Sequence, residues 1–294
     1  MKTGFFICFG IALCLIQCKP RPKVGDHQNV MQSDTIVDDS TLNISYLMLS
    51  PNEVLGEILN DKRKLNPLLV NSKSNAPKYV DAKQQAMNLG VYITDFGYLN
   101  LSNNKTNVID YFRVIRDLAQ KNNIYGCFDE AIFNRIQDNL ANNDSLLVIS
   151  QDMYYNMIEI LENSNRQKVY ALVSSGALIE SLYLSVMNVN DFNDYKNIAQ
   201  KVFDQEKLLE NFYKLLEIYK SDKDINSVLI QFDSLKRIIS LTDKKHNKRK
   251  IIKNKNSHFE IKGGDDFVVN ESTFNAFRES VKKTREDIIS SSNK

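Results

Sequence analysis

The chain has 294 residues, with 38 basic against 36 acidic side chains and a formal net charge of +2. That balance gives no polyelectrolyte attraction to nucleic acid. Ten Gly and five Pro are too few turn-formers for a fold of many short strands, while 43% hydrophobic residues can fill a real core, so helices are favoured.

Lys2 precedes an apolar stretch from Phe5 to Ile16, too short for a permanent bilayer span, which reads as a secretion signal. It ends in Leu15-Ile16-Gln17-Cys18. This run resembles the lipobox of bacterial lipoproteins, with Gln17 standing where a small residue is usual. The resemblance implies cleavage before Cys18 and acylation of its thiol and new amino group. An ordinary signal peptide or an uncleaved anchor is the other reading. Residues 1–17 are then the signal peptide, 18–44 a lipid-anchored flexible tether, and 45–294 a single helical domain. The tether begins Lys19-Pro20-Arg21-Pro22-Lys23 and is polar throughout. Some 25 flexible residues span roughly 25–30 Å.

The first helix starts at Ser50-Pro51-Asn52-Glu53, an N-cap, a first-turn proline and the acid of a capping box. A loop with Pro67 and Pro77 follows. A long helix over 78–101 carries the stripe Ala82, Ala86, Leu89, Ile93 and Phe96. Gly90 and Gly97 lie a heptad apart in it and predict a closely packed neighbour, because glycine costs about 1 kcal/mol in a helix interior. Helices are predicted over 106–121, 129–141 and 145–162. The segment 166–188 is apolar nearly all round and belongs at the centre of the body; its polar residues argue against a membrane span. Helices over 193–220 and 225–242 are amphipathic again, and the short connections favour antiparallel neighbours.

Residues 243–269 form a basic loop or hairpin insertion with Lys244, Lys245, Lys248, Arg249, Lys250, Lys253 and Lys255. Ile251-Ile252, His258 to Ile261 and Phe267 to Val269 are candidate short strands, with a turn at Gly263-Gly264-Asp265-Asp266. A last helix over 271–290 closes the chain. The fold class is all-α: an antiparallel multi-helix bundle with a small β-like insertion before the last helix.

Cys8 and Cys14 fall in the signal, so Cys127 is the one cysteine of the mature body besides Cys18, and no disulfide framework is available. Cys127 reads as a buried, inert thiol. His27, His246 and His258 all lie in tether or loop, which leaves the helical body without the imidazole of zinc sites or Ser-His-Asp chemistry. The sequence implies no cofactor and no metal. Asp222, Asp224, Asn226 and Asp233 approach a calcium-loop spacing, but Ser227 replaces the sharp-turn glycine; an N-cap at Asp222 or Asp224 explains them more simply.

Asp95 and Glu180 stand in the two most apolar helices, where burial can raise a carboxyl pKa and fit it for acid–base work. With Tyr92, Tyr98 and Tyr183 they form a candidate ligand-binding set. The competing reading is a structural network tying helices together. Tyr154, Tyr155, Tyr213 and Tyr219 read as core, or as the lining of a sugar or peptide groove. Lys248, Arg249 and Lys250 form a basic patch that can meet anionic lipid headgroups, or is simply a solvated hairpin.

Leu89-Gly90-Val91-Tyr92 with Asp95 and Tyr98-Leu99, together with Gly176 to Tyr183 and the lipobox, resembles a group of all-helical lipoproteins from Bacteroidetes-type bacteria. The resemblance implies an outer-membrane address. Lys19-Pro20-Arg21 after the cysteine, in place of acidic residues, favours the periplasmic face over the cell surface. The functional expectation is a lipid-anchored cell-envelope binding or scaffold protein without intrinsic catalysis. Its partners are the membrane, through the anchor, and an envelope protein or a small-molecule or glycan ligand. The alternatives are an envelope-acting enzyme using Asp95 and Glu180, or a lipid- or glycan-handling protein using the basic loop.

Overall fold

The computed structural model describes residues 49–59, 65–193, 196–253 and 259–290, which all belong to one compact unit within residues 43–294. The signal, Cys18 and the tether lie outside the described residues, as do the side chains of Lys248, Arg249 and Lys250.

The fold is all-α. The helices are α1 (Pro51–Ile58), α2 (Ala82–Leu101), α3 (Val108–Lys121), α4 (Glu130–Asp138), α5 (Asn143–Asn163), α6 (Gln167–Met187), α7 (Lys196–Asp204), α8 (Glu206–Ile218), α9 (Lys223–Leu241) and α10 (Glu271–Ile289). Strands β1 (Lys244–Lys253) and β2 (Phe259–Phe267) make an antiparallel hairpin before α10.

The capping box at α1 is present: Ser50 Oγ accepts from the Glu53 N–H, and Glu53 Oε2 accepts from the Ser50 N–H at 2.8 Å. Glu53 also receives Gln151 Nε2 at 2.9 Å and the Tyr155 hydroxyl at 2.5 Å, so the cap doubles as a tie from α1 to α5. Asp81, Asp129, Asn142, Asp222 and Asn270 cap α2, α4, α5, α9 and α10 through backbone N–H groups. Each satisfies at least one of the donors that a helix start leaves unpaired.

α2 and α6 share the most extensive helix–helix interface and form the centre of the body; α3, α5 and α10 pack around them. A Cβ at Gly90 would overlap the Val173 carbonyl oxygen and lie 2.7 Å from the Ala177 nitrogen; one at Gly176 would overlap the Met87 carbonyl. The two helices thus meet backbone to backbone at reciprocal glycines. Gly97 instead makes room for the Asn52 side chain of α1. α6 is long and apolar enough to cross a membrane, with a mean hydropathy of 1.5 over its best window, yet 89% of that window is buried inside the protein.

Two sequence expectations are corrected. The helix expected over 193–220 is two, α7 and α8, broken at Gln205, whose ψ is 12°. Gln205 and Glu206 stand where the inward stripe of Val202 and Phe203 calls for an apolar residue, and they turn outward to other partners. The three short strands expected in 243–269 are two longer ones, and Gly263 to Asp266 is not a turn. Asn247 pairs with Gly264 and Lys250 with Lys262, which leaves Lys248 and Arg249 opposite Gly263 in a bulge. The hairpin base is held to the body by the Phe267 ring, 5.7 Å from Phe203, and by Lys244 Nζ on Glu206 at 2.6 Å.

Candidate functional site

Asp95 of α2 and Glu180 of α6 face each other across the central interface, and neither has any exposed surface. The cation that stabilises them is Arg285 of α10. Its Nε and Nη2 donate to the two Glu180 oxygens at 2.7 and 2.8 Å, a bidentate pair buried on both sides. Nη2 also reaches the Leu69 carbonyl at 3.3 Å, and the guanidinium lies over the Tyr183 ring at 4.0 Å. Asp95 Oδ2 accepts the Asn71 N–H at 3.0 Å. Burial first, and then the nearby Glu180 charge, push the Asp95 carboxyl well above its usual range, against the pull of Arg285. Among the described residues Asp95 Oδ1 accepts no hydrogen bond. A proton there makes it the donor of a carboxylic acid–carboxylate pair with Glu180, within whose hydrogen-bond reach it lies. With that proton in place the core holds one acid, one carboxylate and one guanidinium, and its charges cancel.

The tyrosines of the candidate set do related work. The segment 66–72 runs across the bundle with two short 3-10 turns nearby, Pro67–Leu69 and Lys73–Lys78, and no ladder partner. Side chains serve its backbone instead. Tyr98 donates to the Asn66 carbonyl at 3.0 Å, Tyr111 to that of Asn71 at 2.7 Å and Tyr92 to that of Ser72 at 2.8 Å. Asn188 Oδ1 accepts from the Asn66 N–H at 3.1 Å, and its amide nitrogen donates to the Tyr98 hydroxyl at 2.8 Å. With Leu69 on Arg285 and the Asn71 N–H on Asp95, six backbone groups of this strap are paired by side chains of the helices. Backbone polar groups removed from water need partners; the local turns supply two, the Leu69 N–H to the Asn66 carbonyl and the Asn75 N–H to that of Ser72, and the side chains add the rest. Burial raises the pKa of every one of these tyrosines, that of Tyr98 to about 12, so each remains a neutral donor.

The structure therefore brings Asp95, Glu180 and Tyr183 together around Arg285 and sets Tyr92 and Tyr98 on either side as clamps of the strap. The sequence reading missed Arg285, Asn71 and Tyr111. Arg285 was signalled: in α10 the inward positions run Phe274, Phe277, Val281 and Ile288, and position 285 of that stripe holds a cation. Asn71 acts mostly through its backbone, which no side-chain pattern announces. Cys127 is buried and burial pushes its thiol to about 12. Asp222 Oδ1 caps α9 by accepting from Asp224 and Ile225, and its other oxygen meets Lys168 at 3.0 Å. Those contacts use the carboxylate as the N-cap reading requires.

An open apolar groove lies elsewhere, between α8 and α9. It has a volume of about 340 Å³, a floor of Leu209, Tyr213 and Ile239, and a rim that includes Lys214, Lys236 and Ser240. Tyr213 is fixed by its hydroxyl, which donates to the Phe232 carbonyl at 2.7 Å.

Compared with protein families, curated proteins and solved structures, the chain finds no match.

Proposed function

We propose that this chain is a lipid-anchored binding or scaffold protein of the bacterial cell envelope, without catalysis of its own, held through Cys18 at the periplasmic face of the outer membrane. The observation that carries the binding reading is the α8–α9 groove, a concave apolar site with a charged rim and a size within the ordinary range for small-molecule sites. Its floor is immobilised by packing and by the Tyr213 hydrogen bond, so a ligand meets a preformed surface. The enzyme alternative needs Asp95 and Glu180 on an open pocket; both are wholly buried, with Glu180 already engaged by Arg285.

The anchor reading rests on the sequence before Cys18. Two or more acyl chains hold a protein stably at a bilayer, where one chain alone is marginal. In-cell photocrosslinking from positions on the groove rim, followed by envelope fractionation, tests the proposal. Recovery of a defined envelope partner or ligand from the membrane fraction is expected. A soluble protein that captures nothing in the envelope would overturn it.

A second reading keeps the basic hairpin as the contact with anionic lipid or glycan. Strand β1 sets Lys244, Lys245, Lys248, Arg249, Lys250 and Lys253 on one ten-residue element, docked beside the groove through Lys244 and Glu206. Vesicle binding that is insensitive to neutralising Lys248, Arg249 and Lys250 removes this reading.

A further inference from the structure

We infer that the α8–α9 groove takes a single-chain amphiphile: one short apolar tail on the Leu209–Tyr213–Ile239 floor and an anionic head at Lys214 and Lys236. The inference rests on the binding-protein reading and names the ligand class of that same groove.

Charge decides the sign of the head. Three carboxylates stand on the rim, and each already has a lysine. Glu206 receives Lys244 at 2.6 Å, Glu210 receives Lys207 at 2.7 Å and Glu217 receives Lys220 at 3.1 Å. The two lysines that line the groove, Lys214 and Lys236, pair with no carboxylate among the described residues. Lys236 Nζ instead sits 4.9 Å from the centre of the Tyr213 ring, an orientation that holds the ammonium over the apolar floor. Lys214 stands within electrostatic reach of Glu210 without an ion pair to it, so a cationic head would meet two ammonium groups and no carboxylate free of a lysine, whereas an anionic head would meet two ammonium groups outside any ion pair among the described residues. An uncharged head would leave both as they are.

Volume decides the tail. At about 340 Å³ the groove lies at the small end of ligand sites, a size that suits one short chain better than the two long chains of a phospholipid. The groove is open along one side, so the head remains at the solvent edge, where the exposed lysine ammonium groups are. The source is thus a free single-chain anionic amphiphile, with vesicle competition separating it from a bilayer lipid.

The test is titration calorimetry of the full-length protein with decanoate, decanol and decyltrimethylammonium, each below its micelle concentration. Decanoate should bind saturably with one site and at least tenfold more tightly than the cationic analogue. Ser240 is exposed on the rim, and Ser240→Trp should fill the groove without touching the core and abolish binding of all three. The double variant Lys214→Gln/Lys236→Gln should weaken decanoate about tenfold and leave decanol within about twofold. Phosphatidylglycerol vesicles should not compete. Equal affinity for the three heads, decanoate binding unchanged by Ser240→Trp, or displacement by vesicles would each overturn the inference. Envelope crosslinks that persist in Ser240→Trp would show that the broader binding reading stands while this ligand class falls.

Discussion

Asp95→Asn separates a structural carboxyl from a functional one, and its effect can be worked from the contacts. Asparagine has the same shape. Its Oδ1 can accept the Asn71 N–H as Asp95 Oδ2 does at 3.0 Å, and its amide can donate to the Glu180 carboxylate. Packing is retained and only the titration is removed. Burial and the Glu180 charge raise the Asp95 pKa in the folded protein, so the fold keeps a proton that the unfolded chain releases above about pH 3.9. The sign follows. The unfolded state binds fewer protons, so wild-type stability is greatest below the unfolded pKa and falls as the pH rises, by up to about 1.4 kcal/mol per pH unit, until the folded pKa is passed. The asparagine variant lacks this slope. Urea midpoints measured from about pH 4 to about pH 7 should therefore diverge, with the variant gaining on the wild type at each step. Parallel curves over that range would refute the reasoning, since they would mean that Asp95 is ionised in the fold.

Arg285→Met should cost about 3–5 kcal/mol in chemical denaturation at neutral pH, because it strands the buried Glu180 charge; Glu180→Leu/Arg285→Met should lose less than Arg285→Met alone, and a larger loss would mean the charges themselves hold the fold. Gly90→Ala adds a methyl where the Val173 carbonyl stands, so thermal melting should show a loss of about 1–3 kcal/mol or more, despite the gain of about 1 kcal/mol in helix propensity. Tyr111→Phe leaves the Asn71 carbonyl without its donor and should cost about 1–3 kcal/mol, with hydrogen exchange accelerated first in the 66–72 strap. Cys18→Ser should release the protein into soluble fractions or leave it unprocessed; processed protein that stays with the membrane would count against acylation.

What was legible in the sequence follows the range of each signal. Helix starts are local: Ser50 with Glu53, and Asp222, sit one turn from the N–H groups they cap, so type and spacing suffice. The central place of α6 was readable from its all-round apolarity, and the close approach at α2 from the cost of an interior glycine at Gly90. The break at Gln205 was not, because a two-residue lapse in an apolar stripe looks the same whether a helix bends or continues. In the hairpin, the glycines at Gly263 and Gly264 have the composition of a turn, and only pairing with β1 makes the first of them the partner of a bulge. In the core, Asp95 and Glu180 stood out as charges in apolar helices, but their meaning depended on Arg285, 105 residues beyond Glu180. A cation on the stripe of α10 and two acids on the stripes of α2 and α6 were each visible; the pairing was a tertiary fact.

The buried charges have a physical reason that needs no substrate. α2 and α6 approach too closely at Gly90 and Gly176 for large side chains to fill the space between them there, and the 66–72 strap meets α2 at Asp95. The strap carries the Asn71 N–H and C=O into the interior without a ladder partner, and each costs about 1–3 kcal/mol if left unpaired. Apolar side chains cannot remove that cost; tyrosines, an asparagine, an aspartic acid and an arginine can. Arg285, which also reaches the Leu69 carbonyl, is matched in the core by Glu180, and burial first and then the Glu180 charge push the Asp95 carboxyl up. The carboxylates are thus accounted for by contacts within the fold. The groove between α8 and α9 differs from this core in having Lys214 and Lys236 outside any ion pair among the described residues, with Lys236 resting over the Tyr213 ring.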